Sequence, residues 1–169
     1  MSDDLSVYAP LNGTPVKTVT RLSALDRLFE AQGEVTIKCG ARELTLPIQS
    51  VDLEFVTSVC KPFLPKPKVT SELLNGKRII VENRVDSNFQ EQQDDYNRLQ
   101  SYAYVCAALL VDIEDKQGKV VWSADNSVHE LLAAKQALKD MGLVDTQVVA
   151  ILNAASALTQ LVEERQLSD

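Results

Sequence analysis

The chain has 169 residues, of which 45% are hydrophobic and 24% charged, an ordinary balance for a globular protein that can bury a core without disulfides or metal ions. Its formal net charge of −7 arises after position 69, and this acidic balance argues against a surface for nucleic acid or anionic membranes. The three cysteines are too few and too scattered for a disulfide framework.

The first residues predict an irregular arm followed by a short helix. Pro10 and Pro15 interrupt the first twenty residues, which show no sustained hydrophobic period. The start is acidic with no apolar run behind it, so we expect no signal peptide. No apolar run in the chain is long enough to span a bilayer, so we expect a cytoplasmic location. Ser23 can cap a helix over Ala24–Gln32, which Gly33 would end.

A β-hairpin and a second helix are predicted next. Val35–Cys39 and Leu44–Leu46 alternate apolar and polar residues on either side of Gly40–Ala41, which is the pattern of two strands joined by a tight turn. A helix is then predicted over Val51–Lys61, with Ser50 as its cap.

The segment after this helix contains the first candidate surface for partner binding. Its prolines end the helix and keep the chain extended. Apolar side chains in a stiff extended segment lose little entropy when they bind a groove. The candidate partner-binding residues here are Phe63, Leu64, Pro65 and Pro67. A plain linker is the alternative interpretation.

Residues 68–87 are predicted to be a linker or an extended segment. Asn75–Gly76 is a turn signal and Arg78–Glu82 fits a strand, but charged residues interrupt the alternation and leave disorder as an alternative. The segment would separate an N-terminal unit of arm, helix, hairpin and helix, residues 1–67, from a helical domain, residues 88–169.

The longest predicted element is a helix over Asn88–Ile113, which begins polar and becomes apolar. Ser87 and Gln90 fit a capping box at its start. Apolar residues recur along it at spacings of three and four, as on one face of a helix. These residues are Tyr96, Leu99, Ala103, Cys106, Leu110 and Ile113. A second stripe of apolar residues lies beside the first, so we expect the later turns of this helix to be surrounded by the rest of the protein.

Two C-terminal helices are predicted to pack against this central helix. A short strand over Lys119–Trp122 comes first. One helix follows over Val128–Met141, with Ser127 and Glu130 as a capping box, and another over Thr146–Arg165. The predicted core face of the first helix is Val128, Leu131, Leu138 and Met141, with Leu132 alongside. The predicted core face of the second is Val148, Leu152, Ala155, Leu158 and Val162.

Small residues in the last helix supply a second candidate surface. A run of alanine and serine there would let another helix approach closely. The candidate partner-binding residues in this run are Ala154 and Ala157. The expected fold class is α+β: mainly α with a small β-hairpin, and with a long central helix packed by the two C-terminal helices.

No arrangement of residues in the sequence predicts catalysis, a cofactor or a metal site. His129 is the single histidine and has no partner at metal-ligand spacing, which favours an exposed residue in the first turn of a helix. Neither a Cys-x-x-Cys pair nor a phosphate-binding loop is present. The carboxylates of Asp112, Glu114 and Asp115 lack the spacing of an EF-hand loop. We therefore expect a protein that is not an enzyme, with a small enzyme of unrecognised site as an alternative.

The order of elements resembles the tail assembly chaperones of long-tailed bacteriophages over about Glu34–Leu110. The shared layout begins with a hairpin, a short helix and the Pro65–Pro67 break. It continues with the Asn75–Gly76 turn, the charged stretch Glu82–Asp86, and Asp94–Tyr96 opening a long helix.

The resemblance implies an assembly chaperone without enzymatic activity. Such proteins coat the tape-measure protein, keep its long apolar helices soluble until tail-tube subunits assemble around it, and are absent from the finished particle. For this chain the resemblance implies the tape-measure protein as partner in the host cytoplasm and the tail-tube protein as a further candidate. It implies neither nucleic acid nor membrane, and leaves a homo-oligomer open. The alternative is a structural tail or connector subunit of the virion, although such subunits usually need long β-strands, of which the sequence predicts few.

Overall fold

The computed structural model describes residues 32–166 of the chain. This part contains four α-helices and three two-stranded antiparallel sheets, so the fold is mixed α+β, as expected. Two of these sheets are additional to the single hairpin that the sequence predicts. The predicted N-terminal arm lies outside the described residues, and so does the predicted helix Ala24–Gln32 except for Gln32, which begins the first strand.

The predicted hairpin is confirmed. β1 (Gln32–Cys39) and β2 (Arg42–Gln49) pair antiparallel. Gly40, the first of the two turn residues, has a positive φ of 66°, as a type II′ turn requires. Ile37 and Ile48 are buried in the core, so this hairpin packs one face against the rest of the protein.

The next helix, α1 (Leu53–Cys60), starts later than predicted. Its cap is Asp52 and not Ser50, because Oδ1 of Asp52 accepts a hydrogen bond from the backbone N–H of Glu54 at 2.9 Å. A short 3₁₀ turn, Lys61–Phe63, follows directly. The prediction of an extended segment is wrong for Pro62 and Phe63, which belong to this turn; the backbone is extended at Leu64, and residues 64–67 have no regular structure.

The segment predicted to be a linker or extended forms a second hairpin. β3 (Lys68–Leu74) and β4 (Lys77–Asn83) pair antiparallel around Asn75 and Gly76. Both turn residues have a positive φ, 53° and 76°, as a type I′ turn requires. Every residue of the hairpin is exposed except Val81, which is half-buried. Because neither face is buried, apolar and charged residues are mixed on both, and the sequence lacks the alternation of a half-buried strand.

A long central helix is present, but it is shorter than predicted. α2 (Ser87–Ala108) ends before the predicted Ile113. Leu109 is extended, and the backbone N–H of Leu110 donates to the carbonyl of Pro47 in β2 at 3.0 Å. The chain therefore exchanges helical hydrogen bonds for contact with the first hairpin.

The start of α2 and the end of its predicted stripe both differ from the sequence prediction. Four residues of the stripe are buried in the helix: Tyr96, Leu99, Ala103 and Cys106. Leu110 is half-buried after the helix, and Ile113 is buried in the next strand. The predicted capping box is absent, because Asp86 is the N-cap and the Gln90 side chain donates to a backbone carbonyl upstream of the helix.

A third, short hairpin and α3 follow. β5 (Ile113–Glu114) and β6 (Val120–Trp122) pair antiparallel, which confirms the predicted strand. α3 (Leu131–Asp140) begins without a side-chain cap, so the capping box predicted there is wrong. Its buried residues are Leu131, Ala134, Ala137 and Leu138. The predicted core residues Val128 and Met141 are exposed because they lie outside the helix.

The last predicted helix is confirmed as α4 (Asp145–Gln166). It packs against α2 and β1. Val148 and Ala155 are buried as predicted, Leu152 and Leu158 are half-buried, and Ile151 is an additional core residue.

One hydrophobic core joins the elements on both sides of the second hairpin. Its buried residues lie between Ile37 and Ala155 and come from the first hairpin, the third hairpin and all four helices. The β3–β4 hairpin contributes none of them. The chain therefore leaves a shared core after α1, forms the second hairpin, and returns to that core with α2.

Candidate partner-binding groove

Among the described residues, the side chains that could ligate a metal ion are dispersed, and two cysteine thiols are buried. Within residues 32–166, no group of three or more His, Cys, Asp or Glu side chains is placed to hold a metal ion. Cys60 and Cys106 are fully buried, and burial raises the pKa of both thiols because a thiolate would lose its hydration. A raised pKa makes a thiol a poor nucleophile at neutral pH.

An open groove lies between the end of α1 and the start of α3. Its volume is about 550 Å³. Apolar side chains from both helices and from the 3₁₀ turn form most of its lining, and polar side chains complete it. The lining residues are Ser58, Val59, Pro62, Phe63, His129, Glu130, Leu131, Leu132 and Ala133. The groove thus combines an apolar surface with a few polar groups, as binding sites for protein segments commonly do.

Three aromatic rings support this groove from within. Phe55 of α1 packs edge-on against Trp122 of β6, with ring centroids 6.1 Å apart, and against His129, at 5.4 Å. Trp122 is fully buried, and its indole N–H donates to the Asn126 side-chain oxygen at 2.7 Å. These contacts fix the distance between α1 and the segment that leads into α3. His129 is exposed, as predicted, but it precedes the helix and contributes an aromatic contact.

Backbone and ionic contacts hold the other wall. The backbone N–H of Glu130 donates to the Val121 carbonyl at 2.8 Å. The Glu130 carboxylate accepts a hydrogen bond from the Lys119 ammonium at 2.7 Å, and this bond raises the pKa of Lys119. Both groups are largely exposed, so the ion pair orients the wall and adds little to stability.

The structure places the six predicted partner-binding residues in different surroundings. Phe63 lines the groove and is 39% exposed. Leu64 is exposed outside its lining, and Pro65 and Pro67 are half-buried in the segment leading to β3. The groove therefore includes only one of the four residues predicted near the prolines.

The alanines of α4 lie apart from the groove lining. Ala154 is half-buried and Ala157 is exposed. Between them, Ala155 is fully buried in the core, so the small residues of this run already serve packing within the protein. The neighbouring Thr159 hydroxyl lies 3.2 Å from the Tyr104 hydroxyl of α2 and accepts from the Val51 backbone N–H at 3.1 Å.

Leu132 and Val59 are groove residues that sequence reasoning missed. Leu132 is 58% exposed although it lies beside buried Leu131 in α3. A large apolar residue that lies in a helix but outside its stripe of core residues would indicate such a binding site in a sequence. The sequence did not show this signal for Leu132. The predicted helix starts at Val128 and places Leu132 beside its core face, whereas α3 starts at Leu131.

Among the described residues, no single helix has the length and apolar content needed to cross a membrane. Leu131–Asp140 and Asp145–Glu164 meet that requirement only when taken together, by length and composition, and they are bent by 119° relative to one another. Comparison of the chain with protein-family models, with curated proteins and with solved structures finds no match in any of the three.

Proposed function

We propose that this protein is a non-enzymatic assembly chaperone that binds the tape-measure protein in the host cytoplasm during phage tail assembly. The sequence resemblance suggests this biology. The observation that carries the proposal is the open groove, in which Phe63 and Leu132 present exposed apolar surface without belonging to the core. Exposed apolar side chains in a concave surface favour contact with another apolar segment.

The groove suits a helical segment as its ligand. An amphipathic helix binds a groove by inserting apolar residues that recur every three or four positions. Burial of such apolar surface contributes roughly 25 cal/mol per Å². A long helical protein with many such segments could bind several chaperone molecules, and this would keep it in solution.

The test is co-expression of the full chain with the tape-measure protein from the same genome. The double variant Phe63→Ser, Leu132→Ser should lower the soluble yield of the tape-measure protein and weaken its co-purification. The control is Val149→Ser, which removes a similarly exposed apolar side chain from α4 outside the groove lining. It should leave the yield unchanged.

Two results would contradict this proposal. One is a tape-measure yield that does not depend on the wild-type chain, with no complex on a sizing column. The other is an equal loss of yield with the groove variant and the Val149→Ser control, because the groove would then have no special role. Circular dichroism of each variant shows whether the fold is intact.

A structural subunit of the virion is the second candidate function. The observation that favours it is the exposed β3–β4 hairpin, whose open edges are suited to pairing with neighbouring subunits. Mass spectrometry of finished particles separates the two candidates. A virion subunit would be present in stoichiometric amount, whereas an assembly chaperone would be absent.

A further inference from the structure

The β3–β4 hairpin exposes apolar side chains that the described core does not cover. Its strands form a sheet with each other only, and none of its residues belongs to the core. The most exposed apolar side chains are Val69, 59%, Leu73, 72%, Leu74, 59%, and Ile80, 76%. An isolated two-stranded hairpin is marginally stable in water, and an open apolar edge is a template for another strand. Either edge of this hairpin is therefore a candidate for pairing with another strand.

The outer edge of β4 presents a regular row of backbone groups. In a hairpin with a two-residue turn, the residues flanking the turn exchange backbone hydrogen bonds, and the pattern alternates from there. Leu74 and Lys77 flank the turn. The backbone N–H and C=O groups of Arg78, Ile80 and Glu82 consequently point away from β3, toward a side on which the described residues place no strand.

The sequence of β4 is complementary to itself in one antiparallel register. A two-fold axis perpendicular to a sheet pairs residues on the same face, so a symmetric pair of strands must be centred on one residue. When the centre is Ile80, Arg78 lies opposite Glu82 of the second copy, and Ile79 lies opposite Val81 of the second copy. The two-fold axis generates each of these pairs a second time, with the two copies exchanged. Opposite charges and β-branched residues are favourable cross-strand neighbours.

The neighbouring symmetric registers lose this match. With the centre at Ile79, Arg78 lies opposite Ile80 of the second copy. With the centre at Val81, Glu82 lies opposite Ile80 of the second copy. In both registers charged side chains face isoleucine and no ion pair forms.

The edge of β3 is less suited to pairing. Its one basic residue, Lys68, already lies 3.4 Å from the carboxylate of Asp86 at the base of the hairpin. Pro67, immediately before the strand, has no N–H to donate and would interrupt a longer ladder.

We propose that two copies of this chain associate through β4, centred on Ile80, to form a four-stranded antiparallel sheet across a two-fold axis. Pairing satisfies the outward backbone groups of Arg78, Ile80 and Glu82 in both copies. It also places the apolar side chains of the two hairpins side by side on each face. This interface is separate from the groove lining and does not depend on the proposed function.

A charge-reversal cycle tests the interface in the full chain, with dimerisation measured by sedimentation equilibrium. Arg78→Glu should weaken dimerisation about tenfold or more, because two attractive pairs become repulsive. Glu82→Arg should do the same, with an added loss of its contact to Arg84 at 2.8 Å. The double variant should recover much of the affinity, because the two charges again oppose each other.

A matched control and a second variant make the result specific. Lys38→Glu reverses an exposed charge that faces Glu43 at 3.7 Å on the first hairpin, and it should leave dimerisation unchanged. Ile80→Pro removes an outward N–H that the hairpin itself does not use, so it should abolish pairing and leave the core folded.

The proposal is overturned if the chain is monomeric at every concentration at which it is soluble. It is also overturned by a dimer that Arg78→Glu and Ile80→Pro leave intact, since another surface then mediates association. The hairpin could also be protected from proteolysis only when the tape-measure protein is present. This result would likewise overturn the proposal, because the β4 edge would then bind that partner and not a second copy.

Discussion

Cys106 illustrates how burial determines the chemistry of a residue. It lies in the last turns of α2, where its side chain is fully enclosed. Burial raises the pKa of its thiol above the ordinary 9.0, because the surroundings cannot hydrate a thiolate. The effects of burial on Cys60, Tyr96 and Tyr102 have the same sign. These residues are expected to stay protonated in the folded protein when the unfolded chain ionises.

Alkaline pH should therefore destabilise the fold, in part through Cys106. Below pH 9.0 the thiol keeps its proton in both states, and its contribution is constant. Above that pH the unfolded chain loses the proton and the folded chain does not, so unfolding is favoured by about 1.4 kcal/mol per pH unit. Urea midpoints measured below and above this pH should fall less steeply for Cys106→Ala than for the wild type. Equal slopes would show that the thiol does not contribute.

The same helix allows a comparison between a buried and a half-buried position. Cys106→Asp should unfold the protein, at a cost of more than about 4 kcal/mol, because an unpaired carboxylate would be enclosed. Leu110→Asp should cost only about 1–2 kcal/mol, because Leu110 lies after the helix and is half-buried. Thermal unfolding of the two variants measures the difference. Equal losses would place Leu110 in the core and contradict the end of α2 at Ala108.

In α2, helical periodicity predicted the buried residues well inside the helix and poorly near its end. Tyr96, Leu99, Ala103 and Cys106 follow the helical spacing and are buried. The prediction for Ile113 was right about burial but wrong about the element, because a contact with β2 ends the helix first. Such a contact joins residues far apart in sequence, and periodicity within one segment contains no information about it.

The hairpins show the same limit at the scale of an element. The first hairpin alternates clearly because one of its faces is buried, and the sequence predicted it. The second has a clear turn, Asn75–Gly76, but no alternation, because both of its faces are exposed. The groove itself was not predicted: the sequence indicated Phe63 as part of a proline-flanked segment that could bind a partner, whereas Leu132 depends on where α3 starts.

Two glycine substitutions separate the roles of these hairpins. Gly40 and Gly76 both have a positive φ, 66° and 76°, and both have open space around an added Cβ. Replacement by alanine should therefore cause backbone strain without a clash, at about 1–2 kcal/mol in each turn. Gly40→Ala should lower the melting temperature of the whole protein, because the first hairpin packs into the core. Gly76→Ala should leave the melting temperature unchanged.

Hydrogen exchange provides the readout for Gly76→Ala. Exchange in residues 68–83 should become faster, with unchanged protection in α2 and α4. A fall in melting temperature as large as that of Gly40→Ala would mean that the second hairpin is coupled to the core after all.

At the scale of the whole molecule, one core joins residues that the sequence assigned to two units. Val56 and Cys60 of α1 belong to the same hydrophobic cluster as Leu99 of α2 and Ile151 of α4. Composition and charge change along the chain and suggest a boundary near residues 68–87. Only the long-range packing shows that the residues before and after that boundary are buried together.

The elements that share this core should consequently unfold in one cooperative transition. Trp122 is the single tryptophan, and its fluorescence reports on packing against Phe55 of α1. Far-UV circular dichroism reports mainly on the long helices α2 and α4. Because these elements share one core, both signals should give the same urea midpoint. Val56→Ala, a cavity-forming change in α1, should shift both midpoints together, by about 1–3 kcal/mol. A fluorescence change that precedes the loss of helix, or a shift of the fluorescence midpoint alone, would show that the N-terminal unit unfolds separately and would support a two-domain division.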